Sequence, residues 1–197
     1  MRAAATVPGH RAPGVGFESP FELLAACHDR VRRSLDLLER LQRHVKKTGC
    51  DDEARSAAQD VLRYFDLAAP LHHQDEELHV FPVLLAGPDA ALHALVRKLQ
   101  AEHVQMDLHW QAARAVLLAI TGSTDDAIKD AHAICSPPGR LLLHPHQVQI
   151  LNDFAALYGQ HMDDEEQTVY PASRAILSEA AQGAMGHEMG ARRRVSP

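Results

Sequence analysis

Histidines and glutamates are the residues of this sequence whose types and spacing could do chemistry. Fourteen histidines occur among the 197 residues, several of them beside acidic side chains. His72 precedes Glu76 by four residues, and His161 precedes Glu165 by the same spacing. In a helix this spacing places both side chains of a pair on one face, about 6 Å apart along the axis, so each pair can share a metal ion.

The two pairs belong to an internal repeat. Residues 71–82 align without gaps on residues 160–171, and the His, Asp, Glu-Glu, Val, aromatic and Pro positions coincide. Such a match within one chain predicts that the two segments have the same structure and present their histidine and first glutamate in the same way.

The repeat selects between two registers in its first copy. There, the inward pair could begin at His72 or one residue later at His73. Because Met162 stands where the first copy has His73, only the earlier pair has a counterpart in the second copy. We therefore predict that His72 and Glu76 face inward, with His73 and Glu77 beside or behind them.

Two further histidines lie on apolar helical stripes, so that each of four predicted helices carries one inward histidine. These are His28 and His103, both at 3-and-4 spacing from neighbouring apolar residues. A single histidine on an apolar face is usually a core residue with a hydrogen-bonding partner. Four together are difficult to explain in that way, because an unpaired buried imidazole is costly.

Four imidazoles and two carboxylates form a donor set suited to two first-row metal ions. Mixed nitrogen and oxygen donors favour iron, manganese or zinc over magnesium or calcium, and the absence of thiolate argues against a structural zinc site or an iron–sulfur cluster. One carboxylate from each half could bridge two metals roughly 3.5–4 Å apart. Six protein ligands for two ions leave positions for an oxo or hydroxo bridge and a small molecule.

Apolar periodicity indicates the elements that must position these ligands. The predicted helices run from Pro20 to Gly49 after a capping box at Ser19, from Asp51 to Pro82 with a kink or restart at Pro70, from Pro88 to Thr121, from Pro145 to Pro171, and from Ala172 to about Ala184. Long amphipathic helices with mostly short links favour antiparallel packing. The sequence therefore predicts an all-α fold, an antiparallel four-helix bundle with a short extra C-terminal helix.

The predicted domain organisation is one bundle with two tails. It divides the chain into a flexible N-terminal tail (residues 1–18), the bundle (residues 19–184) and a C-terminal tail (residues 185–197) that contains the basic run 192–194. Residues 122–143 are less regular and are predicted to hold a short helix.

Composition excludes several other classes of function. The net charge of −6 leaves no basic footprint for nucleic acid. Three cysteines without CxxC spacing fit a reducing compartment, and no apolar run reaches the roughly 18 residues that span a membrane. Residues 1–16 lack the apolar region of a signal peptide. We therefore expect a cytoplasmic protein without nucleic-acid or membrane partners.

The ordered series His, His-x-x-x-Glu, His, His-x-x-x-Glu, with Phe-Pro or Tyr-Pro after each Glu-Glu, resembles the hemerythrin-like HHE cation-binding domain. The resemblance covers about residues 20–177 and implies a hemerythrin-like bundle with two non-haem iron ions joined by an oxo or hydroxo bridge, manganese and zinc being the alternatives. It implies the following ligands: terminal His28, His72, His103 and His161, and bridging Glu76 and Glu165.

One position departs from the oxygen-carrying members that the sequence resembles. They have a further histidine one turn after the third-helix ligand, where this chain has Asp107. This departure argues against simple oxygen carriage. The ligand set also resembles that of the iron–sulfur-centre repair proteins of the same superfamily, but their cysteine-bearing N-terminal domain is not found here, which argues against a repair role. Glu102 is predicted to be solvated, and Tyr158 to be a core aromatic that could bring a hydroxyl near a metal-bound ligand.

Three functions follow as hypotheses, and none assigns a catalytic residue. The first is a di-iron protein that binds or reacts with O2, peroxide or NO, in sensing, iron handling or detoxification. The second is a di-metal module that stores or delivers iron without turnover. The third is a structural bundle whose metal only stabilises the fold.

Overall fold

The chain folds as a helical bundle, and the predicted all-α fold is confirmed. The structure, a computed structural model, describes residues 16–122 and 142–194, and these residues contain no strand. They form five helices: α1 (Pro20–Thr48), α2 (residues 52–85), α3 (Ala90–Thr121), α4 (residues 145–176) and α5 (Glu179–Arg194). Helices α1 to α4 form the antiparallel bundle. None of the described helices is long and apolar enough to cross a bilayer. The short helix predicted within residues 122–143 falls largely outside the described residues.

Helices α2 and α4 contain π turns, each shortly before a proline. The turns are Tyr64–Ala68 before Pro70, Glu76–Val80 before Pro82, and Glu165–Val169 before Pro171. The residue preceding each proline bonds five residues back, as Ala69 N–H does to the Tyr64 carbonyl. A wider turn lets the helix accept a ring that lacks an N–H group and would clash with the carbonyl four residues earlier. The prediction that Pro82 ends the second helix is therefore wrong, since α2 continues to residue 85.

The helix ends follow local signals with one exception. Asp51 caps α2 by accepting from Ala54 N–H, and Gly49 ends α1 at a φ of 99°. Ser19 precedes α1, but its side chain makes no capping hydrogen bond, so the predicted capping box does not form.

Two apolar clusters fill the bundle, one on each side of a polar layer. The larger is built around Leu38, Phe65, Trp110, Leu117 and Phe154, and the smaller around Leu24, Phe81, Leu99, Tyr170 and Met189. On every helix of the bundle the predicted ligands lie between residues of the first cluster and residues of the second. This arrangement keeps water away from the polar layer and holds it by packing on both sides.

Helix α5 covers the end of the bundle formed by the smaller cluster. Its Met185 and Met189 are buried there. At Gly186 the helix comes close to the backbone of Phe17, which precedes α1, and a Cβ atom there would lie 1.8 Å from the Phe17 carbonyl oxygen. The C-terminal tail predicted from residue 185 is therefore wrong for residues 185–194, which belong to α5.

The basic end of α5 is anchored on α2. Arg192 and Arg193 both pair with Asp75, whose side chain is fully buried, and the Arg193 Nη2 to Asp75 Oδ2 distance is 2.6 Å. An uncompensated carboxylate at this depth would be strongly unfavourable. The two arginines thus make the folding of α2 and the docking of α5 depend on each other.

Candidate metal centre

The structure brings together all six residues predicted as ligands in the polar layer of the bundle. Each helix contributes from its inward face, and the exposed fraction of each residue is 5% or less. The residues are His28 from α1, His72 and Glu76 from α2, His103 from α3, and His161 and Glu165 from α4.

Their ligand atoms form two adjacent groups. The first consists of His28, His72, Glu76 and Glu165, whose ligand atoms all lie within 4.8 Å of one another. The second consists of His103 and His161 with Glu165, under the same limit. Glu165 is common to both, so the arrangement has room for two neighbouring ions.

Each glutamate reaches both groups with its two oxygens. Glu165 lies 3.1 Å from His28 Nε2 through Oε2 and 3.1 Å from His161 Nε2 through Oε1. Glu76 lies 3.4 Å from His72 Nε2 through Oε1 and 3.5 Å from His103 Nε2 through Oε2. Both carboxylates therefore occupy positions from which they could bridge two ions.

Two of the π turns begin at these two glutamates. Glu76 and Glu165 are the first residues of their turns, and each accepts the N–H of the residue five positions later, Phe81 and Tyr170. Such turns inside α-helices are frequently found at functional sites. Here each lies one helical turn beyond the histidine that precedes its glutamate.

Several of the buried oxygens lack a hydrogen-bond partner of acceptable geometry among the described residues. They are both oxygens of Glu165 and Oε2 of Glu76. Buried carboxylates without compensation are costly, and four imidazole Nε2 atoms surround them. A cationic metal would satisfy these oxygens and nitrogens together, so the donor set fits the expected metal centre.

Burial and mutual contact shift the pKa values of the central groups in opposite directions. Burial, with the nearby charge of Glu165, raises the pKa of Glu76 well above its usual range. Burial acts in the same direction on Glu165, but the nearby imidazoles of His103, His161 and His28 outweigh it and lower its pKa well below its usual range. Burial opposes charge on His103, yet the surrounding carboxylates raise its pKa to about 10. The centre thus already accommodates positive charge beside Glu165.

Three outer carboxylates orient the imidazoles. Nδ1–H of His28 donates to Glu166 at 2.8 Å, and Nδ1–H of His103 donates to Glu77 at 3.0 Å. Nδ1–H of His161 donates to Glu102 at 2.9 Å. These bonds leave Nε2 as the atom available to a metal.

The contacts of the outer carboxylates contradict one prediction and give a role to the second glutamate of each repeat copy. Glu102 is half-buried against His161 and is not simply solvated, so that prediction is wrong. Nothing in the local sequence signals this contact, because the two residues are 59 positions apart. Glu77 and Glu166 are the second glutamates of the two repeat copies, and this doubling was the available signal.

His73 and Asp107 both lie outside the two groups of ligand atoms. The ring of His73 stacks on that of His103, with centroids 4.1 Å apart and an interplanar angle of 12°. Asp107 is exposed and lines a small pocket with His73 and Tyr158. The pocket has a volume of about 10 Å³, which is space for about one water-sized molecule.

Tyr170 brings a phenol hydroxyl to the centre, and the sequence reasoning missed it. Its hydroxyl donates to Glu76 Oε1 and lies 3.1 Å from His28 Nε2. Tyr158, the tyrosine considered from the sequence, packs against Phe65 and Phe154 in the larger cluster. The Tyr-Pro dipeptide of the second repeat copy marked the position of Tyr170 but not its contacts.

Comparison with known proteins agrees with this geometry. The hemerythrin HHE cation binding domain matches residues 19–173 of the chain. An uncharacterized protein of Haemophilus influenzae is 29% identical over 180 residues, which covers 91% of this chain and 92% of that protein. The matched region contains α1 to α3 and all of α4 except its last residues.

Proposed function

Because this chain belongs to the hemerythrin HHE cation-binding domain family, we propose that its buried centre holds two non-haem iron ions and binds or reacts with O2, peroxide or NO. The activity would serve sensing, iron handling or detoxification. The terminal ligands would be His28, His72, His103 and His161, and the bridging ligands Glu76 and Glu165.

The observation that carries the proposal is the set of buried carboxylate oxygens without hydrogen-bond partners among the described residues, facing four imidazoles. Burying carboxylates and imidazoles without partners is unfavourable, so a core with only a structural role is expected to have apolar side chains at these positions. Iron is favoured over magnesium and calcium by the nitrogen content of the donor set. When bound, the iron ions would supply open coordination positions and one-electron redox chemistry.

The surrounding residues restrict what can reach the centre. Apolar clusters close the bundle on both sides. The small pocket beside His73 has room for about one water-sized molecule, and none of the six candidate ligands lines it. A larger open groove lies between α1 and α4, but Tyr170 and Glu166, which both contact His28, separate it from the ligand atoms. A diatomic molecule or peroxide suits a centre enclosed in this way better than an organic substrate does.

The test begins with metal content and continues with reactivity. Elemental analysis of the purified protein is expected to give two iron ions per chain, and His161→Ala is expected to lose at least one. The reduced, iron-loaded protein is then mixed with O2, hydrogen peroxide or NO while its visible absorption is recorded. Absorption changes with at least one of the three would support the proposal.

The other outcomes separate the remaining hypotheses. Iron that is bound but unresponsive to all three reagents would contradict reactivity and leave storage or delivery as the function. A protein that contains only zinc, with no visible absorption, would leave a stabilising metal as the explanation.

A further inference from the structure

The two halves of the centre differ in the groups that support their histidines. The internal repeat relates the ligand-bearing segments of α2 and α4, so that His72 corresponds to His161. His28 of α1 and His103 of α3 are the remaining two histidines, one in each half of the centre. His28 and His103 follow this symmetry, since each donates Nδ1–H to the second glutamate of one repeat copy.

The symmetry fails at the other two histidines. His161 donates to Glu102, the residue immediately before His103. The corresponding residue immediately before His28 is Cys27, which carries no carboxylate. Accordingly, Nδ1 of the fully buried His72 has no hydrogen-bond partner among the described residues. One half of the centre thus has two supported histidines and the other has one.

The charges behind the supporting carboxylates increase this difference. Glu166, which supports His28, is engaged by the Arg32 guanidinium at 2.9 Å. Glu77, which supports His103, accepts instead from the neutral amide of Gln100 at 2.7 Å. Glu102 lies 3.5 Å from the ammonium group of Lys98, itself closer to Asp164 at 2.7 Å. The negative charge behind the His103 and His161 pair is therefore less neutralised.

We propose that the centre has one tight and one loose metal position: the pair His103 and His161 holds its ion more strongly than the pair His28 and His72. A carboxylate behind a metal-bound histidine orients the ring and strengthens its nitrogen as a donor. Loss of such a partner typically costs 10–100-fold in metal affinity. One additional carboxylate therefore predicts dissociation constants that differ by about 10–100-fold.

The inference rests on the proposed metal centre and is tested by titration. Metal-free protein is titrated with Co²⁺ against a chromophoric chelator, and the two dissociation constants are expected to differ by about 10–100-fold. Glu77→Gln and Glu102→Gln should each weaken the tight position, and Glu166→Gln the loose one. These variants keep a hydrogen-bond acceptor and remove only the charge, so the fold is expected to persist, as circular dichroism would check.

A matched control and the histidine variants assign the positions. Glu53→Gln changes an exposed glutamate of α2 and should leave both constants unchanged. His72→Ala should keep the tight ion, and His161→Ala should lose it. Two ions of equal affinity, or a tight ion weakened by Glu166→Gln, would overturn the asymmetry while leaving the metal centre intact. Absence of Co²⁺ binding would reject both.

Discussion

Removal of both arginines that anchor α5 should destabilise the whole bundle. In the double variant Arg192→Ala with Arg193→Ala, Asp75 loses the two guanidinium groups that pair with it. The Asp75 side chain is fully buried, so the remaining carboxylate would be left without a cationic partner in the core. Met185 and Met189 would also lose part of the constraint that holds α5 over the smaller cluster.

The magnitude follows from the depth of the pair. Breaking a buried ion pair by removing one side typically costs about 3–5 kcal/mol. Arg192 and Arg193 are 17% and 22% exposed, so water can partly solvate the site and the lower end, about 3 kcal/mol, is expected. At about 2–4 °C per kcal/mol for a domain of this size, the melting temperature should fall by about 6–12 °C.

The assay is thermal and urea unfolding of the chelator-treated protein, followed by circular dichroism. Arg97→Ala, which changes an exposed arginine of α3, is the control and should stay within about 0.5 kcal/mol of the parent. Adding Asp75→Asn to the double variant should recover part of the loss, because it removes the uncompensated charge. A double variant that melts with the parent would refute the inference that α5 and Asp75 stabilise each other.

Five further substitutions examine the centre. His72→Ala should lose at least one metal ion per chain by elemental analysis, whereas His73→Ala should keep both, and the reverse pattern would shift the register of α2 by one residue. Glu165→Ala should lose metal and also lower the melting temperature of metal-treated protein, because binding is linked to folding; unchanged metal content would argue against its bridging position. Asp107→Ala should retain both ions, since this exposed side chain belongs to neither group of ligand atoms; loss of an ion would show that it is a ligand. Tyr170→Phe should retain metal and cost the metal-free protein about 1–3 kcal/mol in unfolding free energy, because a buried carboxylate loses its donor; unfolding identical to the parent would contradict that hydrogen bond.

The sequence by itself determined which side chains face the interior. Helical periodicity is local, so His28 and His103 could be assigned to apolar faces from their immediate neighbours. The repeat then resolved the register that Pro70 obscures, because Met162 occupies the position equivalent to His73. The structure places these histidines and their glutamates together, with His73 stacked outside the groups of ligand atoms.

The proline positions mark the limit of the local rules. An interior proline ordinarily kinks or ends a helix, and this rule predicted an end at Pro82. The preceding π turn instead carries the helix past the proline to residue 85. The rule gives the position of the proline but not the wider turn that accommodates its ring.

Only the tertiary structure decided which residues support the histidines and what the C-terminus does. Glu102 meets His161 across 59 positions, and Tyr170 meets Glu76 across 94. Arg192 meets Asp75 across 117, so a basic run that looks like a solvated tail becomes the anchor of α5. These contacts depend on how whole helices are placed side by side, whereas helical periodicity reports only which face of one helix is apolar.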